Sequence, residues 1–354
     1  MHPKFAPADN AGDGFDGDAS TDWLMMPEDS KRRLYLWNAS TMHVRSLDPG
    51  TVKIKFVDDN ETFHNRRQVI LESWASGSTD IEVVLYNHVK NRLHVKVYPE
   101  REVKVNFYRA VDKNGDAAPF NPATVREVLN RLNQVYVPQA NLSFQSHRVV
   151  GNVPVNFDFR TPDQSPANLR QMWLSMARQA VKLDPAPRHY HVFWLKSYHV
   201  EDVKHWLPWV KTDHIAGEAP LLGARLCFME HQANAVDQSL LLAHELGHCL
   251  GADHDEKHHD SVMHPNAYQA RKLYRKTVEE IRGSTPTYLR NGHSFLSINR
   301  GMLARGLRER SNPFARAKVG EIAHRKSEAA AAHCGGGMAG GHRFLLGRTW
   351  MVRL

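Results

Sequence analysis

Asp237–Tyr268 is the stretch that decides how this chain is interpreted, and its centre reads His244-Glu245-Leu246-Gly247-His248-Cys249-Leu250-Gly251-Ala252-Asp253-His254. On an α-helix with ~3.6 residues per turn, His244 and His248 lie one turn apart on the same face. Two imidazoles on one helix face can bind the same metal ion. Gly251 tolerates the left-handed conformation that ends a helix, so His254 can follow as a third nitrogen ligand.

This ligand set is typical of a catalytic metal site. Three protein ligands leave one coordination position of a zinc ion open, whereas structural zinc sites are closed by four ligands. Glu245 follows the first histidine, where a carboxylate can accept a proton from water bound to the metal. The alternative is a helix whose histidines merely face solvent in a chain with 22 His residues. The match at every fixed position of the motif, including Gly251 and His254, disfavours that alternative.

A methionine turn completes the motif. Met263 lies in the segment Ser261-Val262-Met263-His264-Pro265, and together with the H-E-x-x-H-x-x-G-x-x-H pattern this segment resembles the metzincin clan of zinc metallopeptidases. The resemblance implies one catalytic Zn²⁺, bound by the three histidines, and a Met263 that packs beneath the imidazoles without binding the metal.

The resemblance also implies a reaction. We expect a zinc-dependent endopeptidase that hydrolyses peptide bonds of a protein or peptide substrate through a zinc-bound water, with Glu245 as general base and then general acid. The alternative function is a catalytically inactive, zinc-containing protein-binding module. The intact Glu245 argues against this alternative, because a structural zinc site has no use for the carboxylate.

The subfamily is left open by the residues around the turn. Asp255, directly after His254, resembles adamalysin-like members, in which this aspartate anchors the turn. Met263-His264-Pro265 is more similar to the corresponding turn of matrixins, which implies that Pro265 and Tyr268 help to form the pocket for the substrate residue after the cleaved bond. Phe15-Asp16-Gly17-Asp18 matches a short motif of astacin-like propeptides, which would place Asp18 on the zinc in a latent form.

The chain before the motif divides into two parts by pattern. Residues 1–28 are rich in Asp, Gly, Ala and Pro and predict a flexible leader. Residues 29–100 contain short alternating segments, such as Val52-Lys53-Ile54-Lys55-Phe56, separated by turn residues. These segments predict a small all-β domain of the sandwich type.

Residues 101–285 read as an α+β unit. An alternating strand at Val103–Tyr108 precedes a helix that begins at Asn121-Pro122, and Tyr190–Leu195 predicts a buried strand. Asp237 is expected to cap the zinc helix, and Tyr268–Arg282 to form a closing helix. The resemblance implies a metzincin-like catalytic domain here, with a twisted mixed sheet, a backing helix, the zinc helix and, over Gly217–Phe228, an edge strand that pairs with an extended substrate.

Charge sets the last segment apart. The net charge is +8, but residues 268–354 alone hold 17 Lys and Arg against 5 Asp and Glu. We therefore expect residues 286–354 to be a basic tail, partly helical and then disordered. No motif for reading RNA or DNA accompanies this tail, so a nucleic-acid partner is not expected, and contact with an anionic surface is the alternative to a simply solvated tail.

Cysteine content and hydropathy limit the class of protein. Cys227, Cys249 and Cys334 are too few for a disulfide framework, and whether the first two pair is left open. No run of about eighteen apolar residues predicts a membrane span. We expect a monomer. The resemblance implies secretion, whereas residues 1–22 lack the apolar core of an ordinary secretory signal, so localisation stays open.

Overall fold

The computed structural model describes residues 3–8, 14–17, 21–39, 41–57, 66–159, 166–184, 188–197, 215–219, 223–265, 270–283 and 350–353. Within these ranges the chain forms three β-sheets and four α-helices. The predicted α+β class is therefore confirmed. No helix in these ranges is long and apolar enough to cross a membrane.

Two of the sheets are built from residues 4–98. The four-stranded sheet has the order β1 (Lys4–Pro7), β4 (Lys31–Trp37), β7 (Arg66–Ser73), β6 (Val52–Phe56). The five-stranded sheet has the order β2 (Phe15–Asp16), β3 (Asp22–Pro27), β9 (His88–Tyr98), β8 (Gly77–Leu85), β5 (His43–Ser46). Apolar residues that alternate along both sets of strands meet in one shared core.

The prediction of a flexible leader over residues 1–28 needs correction where the chain is described. Strand β3 is buried on both faces: Leu24 and Met26 enter the core between the two sheets, while Trp23 and Met25 enter the core of the rest of the protein. Asp16 in β2 accepts a hydrogen bond from the backbone N–H of Arg275 at 3.0 Å. The prediction failed because residues 1–28 show no apolar periodicity, whereas these short strands are stabilised by pairing with distant partners. Asp18 lies outside the described residues.

The third sheet has the order β11 (Leu142–Pro154), β10 (Arg101–Val111), β12 (Tyr190–Leu195), β14 (Leu226–Glu230), β13 (Ile215–Ala219), β15 (Trp350–Arg353). Strands β11, β10, β12 and β14 run parallel to one another, and β13 runs antiparallel to β14. The strand β15 comes from the predicted tail 286–354, whose other residues lie outside the described ranges, so the expectation of disorder needs correction for these four residues.

Helices cover both faces of this sheet. On one face lie α1 (Pro122–Ala140), α3 (Ala235–Cys249) and α4 (Arg275–Gly283), and on the other lies α2 (Pro166–Leu183). Helix α1 begins as predicted, because the Asn121 side chain accepts the backbone N–H of Thr124 at 2.8 Å and Pro122 occupies the first turn. The same face of the sheet therefore carries the zinc-motif helix and the long helix α1.

Three predicted boundaries shift. Asn234 caps α3, accepting the N–H of Asp237 at 2.9 Å, so Asp237 lies inside the first turn instead of capping it. Helix α4 begins at Arg275, after Lys272 has paired with Ser261 in an isolated β-bridge. The segment Gly217–Phe228, expected as one edge strand, covers parts of two strands, β13 and β14. Strand β14 directly precedes α3, and β13 lies on its outer side.

Candidate metal centre

Helix α3 carries His244 and His248 in a nearly apolar environment. Leucine and alanine side chains pack around the helix, and His244, Glu245 and His248 have no exposed surface. The tight burial fixes the rotamers of the two imidazoles, since neither ring has room to turn toward solvent. The predicted pair therefore projects from one helix face into a closed site.

The chain reverses directly after the helix. Gly251 adopts a positive φ of 105°, and the N–H of Ala252 donates to the carbonyl of Gly247 at 2.9 Å. A residue with a Cβ disfavours this backbone conformation, which is why the glycine is needed at this position. The reversal brings His254 back against the two helical histidines, as the spacing predicts.

The three Nε2 atoms converge on one point. His244 Nε2 lies 2.9 Å from His248 Nε2 and 3.2 Å from His254 Nε2. Two rings are oriented from behind: His244 Nδ1 contacts the carbonyl oxygen of Val262 at 2.8 Å, and His248 Nδ1 contacts that of Ala252 at 2.8 Å. A carbonyl can only accept, so each of these Nδ1 atoms carries the proton.

The protonation pattern fits a metal ion. Because the neutral rings of His244 and His248 hold their single proton on Nδ1, their Nε2 lone pairs face each other across 2.9 Å. Such facing lone pairs repel unless a cation lies between them. Tetrahedral zinc at its usual distance from imidazole nitrogen separates its ligand atoms by ~3.3 Å, close to the observed spacings. The His244, His248 and His254 group could therefore hold a metal ion, and zinc is compatible with it.

Burial keeps the three imidazoles neutral. It lowers the pKa of His244 to about 3, of His254 to about 4 and of His248 well below its ordinary value, and in His244 and His248 the other imidazoles add to the shift. Neutral imidazole is the form that binds metals. The site is thus ready to bind a divalent cation at neutral pH.

The stability of the metal-free protein should depend on pH through these groups. The unfolded chain protonates its histidines near pH ~6.5, whereas the folded protein leaves these three neutral down to about pH 4, so the unfolded chain binds more protons in that window. The free energy of unfolding is therefore expected to fall as pH drops from about 6.5 to 4, by up to ~1.4 kcal/mol per pH unit for each group. Urea denaturation in excess chelator measures this slope, and His254→Ala should flatten it. Identical slopes in the two proteins would contradict the assignment of this pH dependence to the three buried histidines.

Glu245 lies beside the histidines in an unusual setting. Its carboxylate is completely buried, and neither oxygen has a hydrogen-bond partner of normal geometry among the described residues. Burial raises the pKa of Glu245 well above its ordinary value, and the nearby Cys227 and Glu218 side chains raise it further, against a small opposing effect of the Ala219 amide. A buried carboxyl group without partners costs stability, so its presence calls for a functional explanation.

Met263, expected beneath the three histidines, packs against helix α3 at Gly247. It is fully buried, and a Cβ placed on Gly247 would collide with its sulfur and lie 3.1 Å from the Tyr136 hydroxyl. That hydroxyl donates to the carbonyl of Ala243 at 2.7 Å. Helix α1, helix α3 and the methionine turn are thereby in direct contact at Gly247, the one glycine of α3.

The turn after His254 is held by side chains. The buried carboxylate of Asp255 contacts His258 Nδ1 at 2.8 Å, and the His258 ring stacks on Tyr274, with 3.6 Å between ring centroids. His259 Nδ1 contacts His264 Nε2 at 3.0 Å, so these two histidines interact with each other beside the centre. Pro265 is half-buried directly after the turn, and Tyr268 lies outside the described residues.

The two described cysteines are free thiols. Cys227 in β14 and Cys249 in α3 are both buried and close enough for a thiol–thiol hydrogen bond. Burial raises the pKa of Cys227, and so does Cys249. Strand and helix therefore face each other at these positions without a disulfide.

Strand β13 was not identified from the sequence as part of the site. A Cβ placed on Gly217 would lie 2.8 Å from Glu245 Oε1 and 2.9 Å from Glu245 Cγ, so the backbone of β13 passes directly over the carboxylate. The signal in the sequence was a glycine in the middle of a strand, which often marks the close approach of another group. The outer edge of β13 pairs with β15.

Comparison with family models and with curated proteins gives no match. Solved structures align only weakly. The S-layer protein rSbsC(31-844) aligns at a TM-score of 0.20 and 16% identity over 28% of this chain and 14% of that chain. A chain from a chaperone–substrate complex aligns at 0.34 and 9% identity, over 68% and 41% of the two chains. Amebosin aligns at 0.17 and 11% identity, over 22% and 88%. TM-scores this low support no conclusion about fold or function.

Proposed function

We propose that this protein is a zinc-dependent endopeptidase of metzincin type, with His244, His248 and His254 as ligands of one Zn²⁺. The observation that carries the proposal is the position of Glu245: a fully buried carboxyl group with no hydrogen bond of normal geometry to the described residues and only the Ala219 amide nearby, on the same helix as two converging imidazoles. A purely structural metal site would gain nothing from this group and would bear its desolvation cost. This same observation disfavours an inactive protein-binding module.

The protein groups have distinct tasks. Bound zinc supplies Lewis acidity, which acidifies water and polarises a carbonyl group. Glu245 accepts the proton that the attacking water loses as its oxygen bonds to the scissile carbonyl carbon. It then donates this proton to the amine nitrogen as the C–N bond breaks. The positive charge of a metal opposes the burial that raises the Glu245 pKa, so the carboxylate form becomes accessible.

Strand β13 offers the place for an extended substrate. It runs antiparallel to β14 and lies directly over Glu245 at Gly217, so a peptide that pairs with its outer edge passes the carboxylate. Backbone hydrogen bonds of this kind hold peptides with little regard to their side chains. The pairing with β15 supports this role, because it is an example of an antiparallel strand accepted at this edge.

We also propose bounds for the two units of the chain and roles for Asp255 and Pro265. We assign the catalytic unit to residues 101–285 and the preceding all-β unit to residues 29–100, joined by the strands of residues 4–27. The buried Asp255 and its bond to His258 support the turn-anchoring role expected of adamalysin-like relatives. Pro265, at the half-buried end of the methionine turn, is consistent with the matrixin-like alternative.

Metal removal and restoration test the proposal. The full chain should cleave a generic unfolded protein, lose that activity when zinc is removed with a chelator, and regain it when about one equivalent of Zn²⁺ is returned. Circular dichroism of the chelated protein shows whether the fold persists, so that loss of activity is not mistaken for unfolding. Absence of cleavage by folded protein whose zinc content is confirmed would refute the proposal.

A further inference from the structure

A second cluster of metal-binding side chains lies away from the centre just described. We propose that His147, Asp184 and His189 form a second zinc site, independent of the proposed peptidase function. One ligand atom from each of the three side chains lies within 4.8 Å of the others. Two imidazoles and one carboxylate are a donor set suited to zinc and related divalent transition metals.

The cluster joins three separate segments of the chain. His147 belongs to the edge strand β11, Asp184 follows the end of α2, and His189 directly precedes β12. His189 Nδ1 lies 2.5 Å from Asp184 Oδ2, His147 Nε2 lies 4.0 Å from the same oxygen, and the two imidazole centroids are 4.2 Å apart. A metal ion here would connect the edge of the sheet to the helix that covers it.

His147 is directed into the cluster by an irregularity of its strand. Val105 of β10 pairs with Ser146 and the next residue, Asn106, pairs with Arg148, so His147 is an extra residue in a β-bulge. Bulges change the direction of a side chain and are frequent at functional sites. A regular ladder would place His147 in register with its neighbours, whereas the bulge brings its ring against that of His189.

Asp184 is held in place by hydrogen bonds. Its side chain is buried, and Asn106 Nδ2 donates to Asp184 Oδ2 at 2.6 Å. Hydrogen bonds of this kind hold a carboxylate ligand in place and are a usual feature of metal sites. The simpler alternative is a hydrogen-bonded ion pair of His189 with Asp184 and no metal. A simple ion pair does not explain why His147 lies at a β-bulge and contacts the ring of His189.

The sheet separates this cluster from the first centre. Tyr108 and Phe193 pack against α2, while Phe107 and Val192 belong to the core that contains α3. Side chains alternate along a strand, so Asn106, two residues from Tyr108, is on the α2 face. The two sites therefore lie on opposite faces of one sheet, and a variant of one leaves the ligands of the other in place.

Zinc stoichiometry tests the second site. The full chain is stripped with chelator and titrated calorimetrically with Zn²⁺, and bound metal is counted by elemental mass spectrometry. His147→Ala is the informative variant because this partly exposed side chain can be removed without touching the buried His189–Asp184 contact. It should bind one zinc fewer per chain than the wild type, while the metal-free variant melts at the wild-type temperature.

His94→Ala is the matched control. His94 Nδ1 contacts Asp80 Oδ1 at 2.7 Å, and no third metal-binding side chain joins this pair among the described residues. This variant should bind as much zinc as the wild type. If His147→Ala also keeps the wild-type number of zinc ions at the wild-type affinity, the cluster is only an ion pair and the inference is overturned.

A different observation carries a second inference, which rests on the proposed function. We infer that residues 350–353 act as a built-in inhibitor that occupies the substrate edge of β13. Strand β15 runs antiparallel to β13, with Val352 opposite Gly217 and Trp350 opposite Ala219, and it also lies against α3. Gly217 is the residue that touches Glu245, so β15 follows the course assigned to the substrate.

The closed state of the centre agrees with this assignment. Glu245 and His248 have no exposed surface, so a peptide cannot reach them without a rearrangement. Residues 350–353 belong to the same chain as β13, so this strand competes with substrate intramolecularly and its effective concentration does not fall on dilution. Typical enzyme KM values extend from about 1 μM to 1 mM, so a tethered strand of modest affinity still slows the enzyme severalfold.

Proline substitutions in the full chain test the inhibitor. Adjacent residues of an antiparallel strand direct their N–H groups alternately toward and away from the partner strand. Of Met351→Pro and Val352→Pro, one therefore removes a hydrogen bond to β13 and the other serves as its control. The disruptive variant should raise kcat/KM about two- to tenfold, and hydrogen exchange of the β13 amides should become faster.

The outcomes separate the two proposals. Faster exchange of the β13 amides in one proline variant with unchanged kcat/KM shows that the strand pairs without inhibiting, which overturns the inference and leaves the peptidase proposal standing. Unchanged exchange and unchanged kcat/KM in both variants overturn it as well. Absence of cleavage by zinc-loaded wild type and by both variants instead refutes the peptidase proposal on which the inference rests.

Discussion

Glu245→Gln is expected to lower kcat/KM by ~10²- to 10⁴-fold, while the protein keeps its fold and its zinc. Glutamine has nearly the shape of glutamic acid, so packing in this fully buried position is preserved. It cannot accept the proton of an attacking water, so the general base is lost. Assay of an unfolded protein substrate, together with the zinc content of both proteins, measures the effect.

The same variant should be at least as stable as the wild type. Burial, Cys227 and Glu218 all raise the pKa of Glu245, so the metal-free fold favours its neutral form, which the amide of glutamine imitates. A residue that impairs stability while serving catalysis is a known trade-off at active sites. Thermal denaturation of the chelated proteins measures this, and a melting temperature well below the wild-type value would contradict it.

A control separates the loss of the base from the loss of a charge. Glu256 is exposed and lies twelve residues or less from all three histidines in sequence, so Glu256→Gln removes the same charge nearby without touching the buried carboxyl group. It should retain wild-type activity. Equal activity in Glu245→Gln and the wild type would refute the assigned role.

Gly247→Ala is expected to lower the free energy of unfolding by about 1–3 kcal/mol and to weaken zinc binding. A Cβ at this position would collide with the Met263 sulfur and lie 3.1 Å from both Met263 Cε and the Tyr136 hydroxyl. Relief requires the fully buried Met263 side chain to repack or the methionine turn to move. Because His244 is oriented by the carbonyl of Val262 in that turn, any such movement disturbs a metal ligand.

Helix propensity alone predicts that Gly247→Ala raises the free energy of unfolding. Alanine is favoured over glycine inside a helix by ~1 kcal/mol, so an exposed helical position would gain stability from this change. Gly151→Ala is the control, since a Cβ there meets nothing within 4 Å, and its effect should stay within about 0.5 kcal/mol. Urea denaturation compares the variants. A Gly247→Ala protein as stable as the wild type would show that the close contact costs nothing.

Several features could be predicted because they depend on neighbours in the sequence. The start of α1 follows from Asn121 and Pro122, whose roles at a helix N-terminus are local. The convergence of His244, His248 and His254 follows from one helical turn and one glycine reversal. Strand β12, mostly apolar and buried along its whole length, was predicted with its observed bounds because both of its faces are buried.

Other features could not be predicted because their partners are distant in the chain. Strands β1, β2 and β3 lie in a segment without apolar periodicity, and pairing with distant strands such as β4 and β9 makes β1 and β3 strands. The cap of α4 comes from Asp16, more than two hundred residues earlier. No local pattern marks His147 and His189 as neighbours, since a β-bulge and a parallel strand pair bring them together.

Local sequence alone was enough to bring the groups of the centre together: two imidazoles one helical turn apart, a third after a glycine reversal, a carboxyl group beside the first and a methionine turn after them. Spacing along a helix is set by backbone geometry alone, so it survives any tertiary context. Tertiary structure alone decided the burial of Glu245, the approach of Gly217 in β13 and the occupation of that strand's edge by β15. These depend on which strands pair, and pairing is selected by the whole core, which no single stretch of sequence contains.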